Sequence, residues 1–312
     1  MPDARYAIPF QELRADQVEL VGGKCANLGE LTGAGFPVPP GFAVTTAAYE
    51  RDDIGAAVAE AYAELGRQVG RVDPPVAVRS SAIAEDMPDA SFAGVQDTYL
   101  WICGLEAVLD GIRRCWASFH NPEAVAYREA HGITRGGMSV AVQYMVDARV
   151  AGVMFTLNPV SGDRSSIAID ASYGLGVSVV GGEVTPDSFL VSKVTREIIR
   201  RQIGAKATEV VADPAAATTV TRDVPEELRA RPCLSDDELG RLVEIGRRIE
   251  THYSHPQDVE WALDRGLGEL FILQSRPETV WSRKPRATPV AGGAMAMITA
   301  AMTGGRAATP KE

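Results

Sequence analysis

The stretch "DVEWALDRGLGELFILQSRPETV", residues 258–280, has the pattern of two short strands joined by a turn. Both segments alternate apolar and polar residues, as strands with one buried face do. Asp258 and Glu260 share one face of the first strand, and Gln274 and Arg276 share one face of the second. A hairpin would therefore collect two carboxylates, an amide and an arginine on the same side of a sheet.

This set of side chains has two interpretations. Carboxylate and amide oxygens are hard ligands that suit Mg²⁺, which takes its other ligands from water and phosphate groups. An arginine beside them is placed to stabilise charge on a phosphoryl group during its transfer. The alternative is a structural ladder of ion pairs, such as Asp258 with Arg276, which leaves Gln274 without a role. The residues alone leave both interpretations open.

Length and charge restrict the class of protein. The chain has 312 residues, of which 46% are hydrophobic, and a formal net charge of −10. This length is enough for two or three lobes. An acidic chain is a poor match for nucleic acid, which selects basic surfaces. No apolar run is long enough for a membrane helix and the first residues do not resemble a signal peptide, so we expect a cytoplasmic protein without a membrane partner.

The pattern along the chain predicts an α+β fold. Helical periodicity occurs at residues 20–36, 47–70, 104–130 and 235–253, the last opening with a capping box of Ser235 and Glu238. Short strands are predicted between these helices and dominate from residue 138. Residues 205–232 are expected to form a loop or an excursion from the fold. Residues 283–312 are expected to form a flexible tail, with docking of "AMAMITAAM" on a partner as the alternative.

Two basic residues lie beside small residues. Lys24 follows Gly22 and Gly23 at the head of a predicted helix, where helix N–H groups attract an anion, although a surface lysine after a turn fits equally well. Arg79 is predicted to end the buried strand in "PPVAVRSSA", where it would pair with a carboxylate or a phosphate. The small-residue loop that follows is able to cover a polyphosphate.

Other motifs carry less information. "IDASYGLGVSVVGGEVTPD" suggests either close approach of backbone to a ligand or a flexible connector. His252 and His255 form either half of a metal site or a surface pair, and the scattered cysteines do not suggest a zinc site. Neither a dinucleotide-binding G-x-G-x-x-G after a strand nor a P-loop motif is present.

Seven sequence blocks, taken together, resemble one known family. In chain order they are "VGGKCANLGEL", "GFPVPPGFAVTT", "VAVRSSAIAEDMPDASFAGVQDTYL", "AVQYMV", "AGVMFTLNPVSGDR", "DASYGLG" and "DVEWALD" with "LFILQSRPETV". They resemble the ATP-binding domain of phosphoenolpyruvate synthases, pyruvate phosphate dikinases, rifampicin phosphotransferases and the ATP-binding subunit of phenylphosphate synthase. The resemblance extends from about residue 6 to residue 282.

The resemblance implies an ATP-grasp fold that binds ATP and Mg²⁺ between two lobes, residues 1–135 and 136–282. By position, Lys24 and Arg79 would hold the ATP phosphates and, with Arg276, act in catalysis. The remaining implied contacts are Ser91 and Gly94 in a covering loop, Arg128 near the phosphates, Gln143, Met145 and Val146 around adenine, and Asp258, Glu260 and Gln274 at the magnesium and ribose end, with Glu260 and Gln274 as metal ligands.

The resemblance also implies an unusual reaction. In this family a histidine attacks the β-phosphoryl group of ATP, AMP leaves, and a phosphoryl group passes to a small acceptor. That histidine lies in a T-S-H-like segment of a separate swivelling domain, and none of the four histidines here has that context. We therefore expect a stand-alone subunit that acts with a histidine-bearing, acceptor-binding partner, with a truncated form of a longer synthase as the alternative. The acceptor is expected to be a phenol, pyruvate or another hydroxyl compound.

One departure from the family pattern leaves an alternative open. The family usually reads G-L-G-E after the tyrosine, whereas this chain has Val177 in place of the glutamate, with Glu183 a few residues later. A regulatory, nucleotide-sensing homologue without catalysis is therefore the alternative function.

Overall fold

The computed structural model describes residues 5–82, 98–130 and 137–281. Within these ranges the chain is a mixture of helices and antiparallel sheets, as the α+β prediction states. The predicted phosphate-loop residues Ser91 and Gly94 lie outside the described residues, as does the predicted tail, 283–312.

The strands and helices are numbered in chain order. The strands are β1 (Ala7–Pro9), β2 (Gly41–Val44), β3 (Val76–Ala82), β4 (Thr98–Ile102), β5 (Met138–Tyr144), β6 (Ala148–Phe155), β7 (Ser166–Tyr173), β8 (Asp187–Ser192), β9 (Ile198–Gln202), β10 (Thr208–Asp213), β11 (Thr218–Asp223), β12 (Gln257–Asp264) and β13 (Leu270–Pro277). The α-helices are α1 (Val18–Gly33), α2 (Gly55–Val69), α3 (Leu105–Ser118), α4 (Pro122–Ala130), α5 (Val177–Val180), α6 (Glu226–Arg229) and α7 (Asp236–Tyr253).

The first sheet has five strands in the order β1-β2-β5-β3-β4, all antiparallel to their neighbours. Helices α2 and α3 cover one face of it through a buried apolar core that includes Val58, Ile112, Val78 and Val142. The strand β5 belongs to this sheet, although residue 136 is the predicted start of the C-terminal lobe. The division into two lobes stays a prediction.

The second sheet has six strands in the order β13-β12-β6-β7-β8-β9. Helix α7 packs on one face, where its apolar side meets Met154, Ile167 and the fully buried Trp261. The predicted capping box at the start of α7 is confirmed, because Ser235 Oγ accepts from the Glu238 amide and Glu238 Oε2 accepts from the Ser235 amide.

Helix α1 contributes to the cores of both sheets. Cys25 and Leu28 pack with residues of the first sheet, whereas Leu31 lies in the core beneath the second. The helix bends at Gly22, whose φ is 71°, and a Cβ there would lie 2.1 Å from the carbonyl oxygen of Ser81. This position therefore needs glycine, both for its backbone conformation and for the close approach of α1 to β3.

Three sequence predictions of local structure are wrong. The strand β3 continues past Arg79 to Ala82, because Ser80 and Ser81 still pair with β5. Residues 205–232 are not a loop, since β10 and β11 form a hairpin there. The helix predicted over 104–130 is two helices, which separate just before Pro122, a residue that lacks the amide needed inside a helix.

Among the described helices, none combines the length and apolar character that a membrane span requires.

Candidate nucleotide site

The hairpin of β12 and β13 brings its four polar side chains together as predicted. Asp258 pairs with Arg276 and Glu260 pairs with Gln274, so the two residues of each pair lie on the same face. The turn between the strands is stabilised by Asp264, whose carboxylate accepts from the amides of Gly266 and Leu267 at 2.8 and 2.7 Å. The alternation visible in the sequence is thus preserved in the sheet.

Arg79 joins this hairpin to the first sheet. Its Nη2 atom donates to Gln274 Oε1 at 2.8 Å and to Glu260 Oε2 at 3.1 Å. Its side chain is only 12% exposed, and its Nε atom is buried without a hydrogen-bond partner. Gln274, which has no role in a simple Asp258–Arg276 ion pair, thus serves as a hydrogen-bond acceptor for Arg79. The arginine therefore lies where two strands of different sheets meet.

Asp258 and Arg276 form the next pair along the hairpin, with Arg276 Nε 3.4 Å from Asp258 Oδ2. Arg276 is 43% exposed, whereas Asp258 Oδ1 is buried without a hydrogen-bond partner. Burial raises the pKa of Asp258 to about 6; Arg276 opposes this shift and Glu278 adds to it. The ion pair between Asp258 and Arg276 that the sequence suggested as an alternative is thus present, and the Arg276 side chain is partly exposed to solvent.

The raised pKa predicts a pH-dependent effect of Asp258→Asn on the free energy of unfolding. Between about pH 4 and 6 the folded state keeps the proton that the unfolded state loses, so this group stabilises the protein below pH 4 and that contribution disappears as pH rises through 6. Asparagine is neutral in both states. Without nucleotide and Mg²⁺, the variant should be more stable than wild type by up to about 3 kcal/mol above pH 6 and similar to it near pH 4.

Urea unfolding at several pH values measures this difference. Glu269→Gln is the matched control, because Glu269 is an exposed carboxylate on the same hairpin. A difference between Asp258→Asn and wild type that does not change from pH 4 to pH 8 would contradict the assignment.

A cavity of about 170 Å³ lies between the two sheets, beside Arg79 and Glu260. Its walls are mostly apolar and come from β3, β4, β5, β6 and the segment around α5. Gln143, Met145 and Val146 line it, as the resemblance implies for an adenine pocket. The Nε2 atom of Gln143 is buried and has no hydrogen-bond partner. The cavity thus combines apolar walls with a charged end, and Gln143, one of its lining residues, carries a buried donor without a hydrogen-bond partner.

Comparison with known proteins identifies the family of the chain. Residues 18–52 and 51–292 match the family model described as pyruvate phosphate dikinase, AMP/ATP-binding domain. The chain belongs to this family. The resemblance identified from the seven sequence blocks is thereby confirmed, and the AMP/ATP-binding domain accounts for nearly all of the described residues.

Curated relatives contain this domain within longer proteins. A probable phosphoenolpyruvate synthase of Methanothermobacter thermautotrophicus is 41% identical, with 92% of this chain and 48% of the relative covered. The phosphoenolpyruvate synthase of Aeropyrum pernix is 36% identical, with coverage of 90% and 43%. The rifampicin phosphotransferase of Streptomyces sviceus is 40% identical, with coverage of 88% and 36%. The chain spans less than half the length of these relatives.

One solved structure, D-alanyl-alanine synthetase A from Vibrio cholerae, matches 83% of this chain at 12% identity with a TM-score of 0.37. A similarity this low supports no argument about the fold of the AMP/ATP-binding domain.

Two further residues, Lys24 and Arg128, are predicted to contact the phosphates. Lys24 is 4% exposed, and its Nζ donates to the carbonyl oxygen of Ser80 at 2.6 Å, so it lies beside Arg79 but does not line the cavity. Arg128 is in α4, and its side chain is not among those described. The structure thus brings Arg79, Glu260 and the segment of Gln143 to one cavity, with Gln274 bonded to Arg79. Asp258 and Arg276 form a pair farther along the hairpin and do not line the cavity.

Sequence reasoning missed most of the apolar wall. Leu100, Leu175, Val177 and Val180 all line the cavity. Val177 is 44% exposed, at the start of the short helix α5, while Glu183 is exposed and does not line the cavity. The glycine-rich segment around α5 signalled close approach to a ligand, but strand and helix patterns cannot show which of its residues face inward.

Proposed function

We propose that the chain binds Mg-ATP between the two sheets, which act as the two lobes of an ATP-grasp fold. Adenine occupies the cavity, and the phosphates extend toward Arg79, Glu260, Gln274 and Arg276. The observation that carries this proposal is the buried Nε2 atom of Gln143, which has no hydrogen-bond partner and belongs to a residue that lines a cavity with a charged end. A buried donor without a partner is costly, and an acceptor nitrogen of a purine would satisfy it.

The donor set at the charged end fits Mg²⁺. Glu260 and Gln274 present side-chain oxygens next to each other, and Glu260 is 30% exposed. Among the described residues, no group of three or more histidine, cysteine or acidic side chains forms a complete metal site. A metal held by one carboxylate, one amide and the phosphates of its ligand agrees with this, because Mg²⁺ keeps several ligands from outside the protein. When bound, the ion neutralises charge on the phosphates.

The reaction proposed is transfer of the β,γ-pyrophosphoryl group of ATP to a histidine. A neutral imidazole nitrogen attacks the β-phosphorus, an N–P bond forms, and the bond from that phosphorus to the α,β-bridging oxygen breaks to release AMP. Arg276 donates hydrogen bonds to the oxygens on which charge develops, and Arg79 holds the phosphates in line with the nucleophile. Water or inorganic phosphate then attacks the γ-phosphorus, and the bond from that phosphorus to the β,γ-bridging oxygen breaks. The phosphoryl group left on the histidine passes to an acceptor oxygen, such as that of a phenol or of the enol form of pyruvate.

The attacking histidine is proposed to come from a partner chain or domain. His120, His252 and His255 do not line the cavity; His120 lies beside Tyr49 and Glu50, and His252 beside Glu30. His131 is outside the described residues. The exposed side of Arg276 leaves the phosphate end open to a group from outside.

A second candidate function is nucleotide sensing without catalysis. The observation that favours it is Val177, which places an apolar side chain at the cavity where related sequences usually carry a glutamate. The intact charged end, with Arg79, Glu260, Gln274 and Arg276, favours the phosphotransferase.

Calorimetric titration with ATP, with and without Mg²⁺, tests the binding part of this proposal. We expect micromolar to submillimolar affinity that improves when Mg²⁺ is present. A chain that binds no ATP in the presence of Mg²⁺ refutes the proposed function.

Replacing Gln143 with leucine should separate nucleotide binding from stability. The dissociation constant for Mg-ATP is expected to rise by about tenfold, because one buried hydrogen bond to the base is lost. The free energy of unfolding of the nucleotide-free chain should not fall, because the substitution removes an unsatisfied buried donor. Gln202→Leu, on the exposed strand β9, is the control. Unchanged affinity in Gln143→Leu would move the base elsewhere.

A further inference from the structure

The strand that carries Gln274 and Arg276 is an edge strand of its sheet. One side of β13 pairs with β12, so backbone groups on its other side need partners from elsewhere. The region of α1 and the strand β3 supply them. The Ile272 amide donates to Pro37 O at 2.8 Å, and the Leu273 carbonyl accepts from Arg79 at 3.4 Å. The first sheet and α1 thus cover this edge.

Asn27, in α1, makes another hydrogen bond to the backbone of β13. Its Nδ2 atom donates to the carbonyl oxygen of Ser275 at 2.5 Å, and its Oδ1 atom accepts from the hydroxyl of Tyr253. Burial raises the pKa of the Tyr253 phenol, which therefore stays protonated and remains a donor. Only one orientation of the Asn27 amide satisfies both bonds, because the flipped amide would place its oxygen against the Ser275 carbonyl.

The bond between Asn27 and Ser275 joins the part of α1 near Lys24 to the part of β13 that carries Gln274 and Arg276. Asn27 is three residues after Lys24, hence about one helical turn from it on the same side of α1. Ser275 lies between Gln274 and Arg276 on β13. A second bond of Ser275, from Oγ to Gln257 Oε1 at 2.8 Å, holds it to β12. The Asn27 amide is thus a direct link between helix α1, which carries Lys24, and strand β13, which carries Arg276.

We propose that Asn27, oriented by Tyr253, is a positioning residue that sets the distance between helix α1 and the Gln274–Arg276 side of the phosphate site. This inference rests on the proposed function. The base end of the site, at Gln143 and Met145, lies on β5 and the residue that follows it, which this link does not touch. Loss of the link therefore affects ligands that span the phosphate end more than ligands that occupy the base end.

The test compares the dissociation constants of ATP and AMP, both with excess Mg²⁺, by calorimetry. Asn27→Ala should weaken ATP binding by about tenfold, equivalent to about 1.4 kcal/mol, and AMP binding by less than about twofold. Tyr253→Phe should change the ratio of the two constants in the same direction by a smaller factor, because the amide keeps its bond to Ser275 but loses its orientation.

Tyr62→Phe is the structural control. Tyr62 is buried in α2, donates to Pro74 O at 2.8 Å and accepts from the Gly104 amide, far along the chain from the link. It should lower the melting temperature by about 2–4 °C without changing the ratio of ATP to AMP affinity. A general loss of stability thus lowers the melting temperature without changing the ratio of ATP to AMP affinity, whereas a loss of positioning changes that ratio.

Two results overturn the inference. If Tyr253→Phe and Asn27→Ala both leave the ratio of ATP to AMP affinity at the wild-type value, Asn27 is structural only. If Asn27→Ala does not fold, an unchanged ratio in Tyr253→Phe alone leads to the same conclusion. A wild-type chain that binds neither nucleotide removes the proposed function and the inference together. Normal wild-type binding with an unchanged ratio removes the inference alone.

Discussion

Arg276→Ala is expected to reduce AMP formation with the histidine-bearing partner by about 10³-fold, while the dissociation constant for Mg-ATP changes by less than about threefold. Arg276 is 43% exposed at the open end of the site, and the contact that fixes it is a 3.4 Å approach to Asp258. An exposed arginine of this kind adds little to ground-state binding. Its hydrogen bonds become strong when charge moves onto the phosphoryl oxygens in the transition state.

A matched control for this prediction lies across the same sheet. Strand pairing places Arg276 and Arg200 in one row across the sheet, at opposite edges, through Asp258, Phe155, Ala168 and Leu190. Arg200→Ala should leave AMP formation near the wild-type rate, and Arg276→Lys should recover only part of the loss, because lysine lacks the planar pair of donors. Equal rates for Arg276→Ala and wild type would refute the catalytic role.

Arg79→Ala is expected to cost about 2–4 kcal/mol of stability and to abolish measurable ATP binding. The side chain is 12% exposed and makes hydrogen bonds to Glu260, Gln274 and the Leu273 carbonyl. Its removal leaves the half-buried Glu260 carboxylate without its cation. Partial exposure of Glu260 to solvent keeps the cost below that of a fully buried pair.

A second substitution tests the reason for the Arg79 effect. If the cost comes from an uncompensated charge, Glu260→Gln added to Arg79→Ala should restore about half of the lost free energy of unfolding, measured in urea. ATP binding should not return in the double variant, because the phosphate cation is still missing. A double variant that is less stable than Arg79→Ala would show that Glu260 stabilises the fold independently of Arg79.

The sequence predicted the hairpin of the site because period-two alternation is a local property. That Asp258 and Glu260 share one face of their strand, and that Gln274 and Arg276 share one face of theirs, follows from strand geometry alone. The register that pairs Asp258 with Arg276 and Glu260 with Gln274 is a finding of the structure. The capping box of α7 was equally local, since both of its residues lie within one helical turn. Such features depend on neighbours in the chain, so they are visible before the fold is known.

Contacts between distant segments were not predictable in the same way. Arg79 pairs with residues about 180 to 195 positions later, and no pattern in β3 indicates which carboxylate it meets. The continuation of β3 through Ser80 and Ser81 depends on β5, although two serines after an arginine read as the start of a loop. Lys24 is buried against Ser80 for the same reason, because α1 packs on β3.

The proposed function requires that ATP is cleaved between its α- and β-phosphates, with transfer of the pyrophosphoryl group to a histidine. The most direct measurement mixes the chain with Mg-ATP, with and without a histidine-bearing partner, and separates the nucleotide products by chromatography. We expect AMP to form, and to form only when the partner is present. Formation of ADP, or no turnover despite tight ATP binding, would contradict this expectation, the first result indicating a simple γ-phosphoryl transfer and the second a nucleotide sensor.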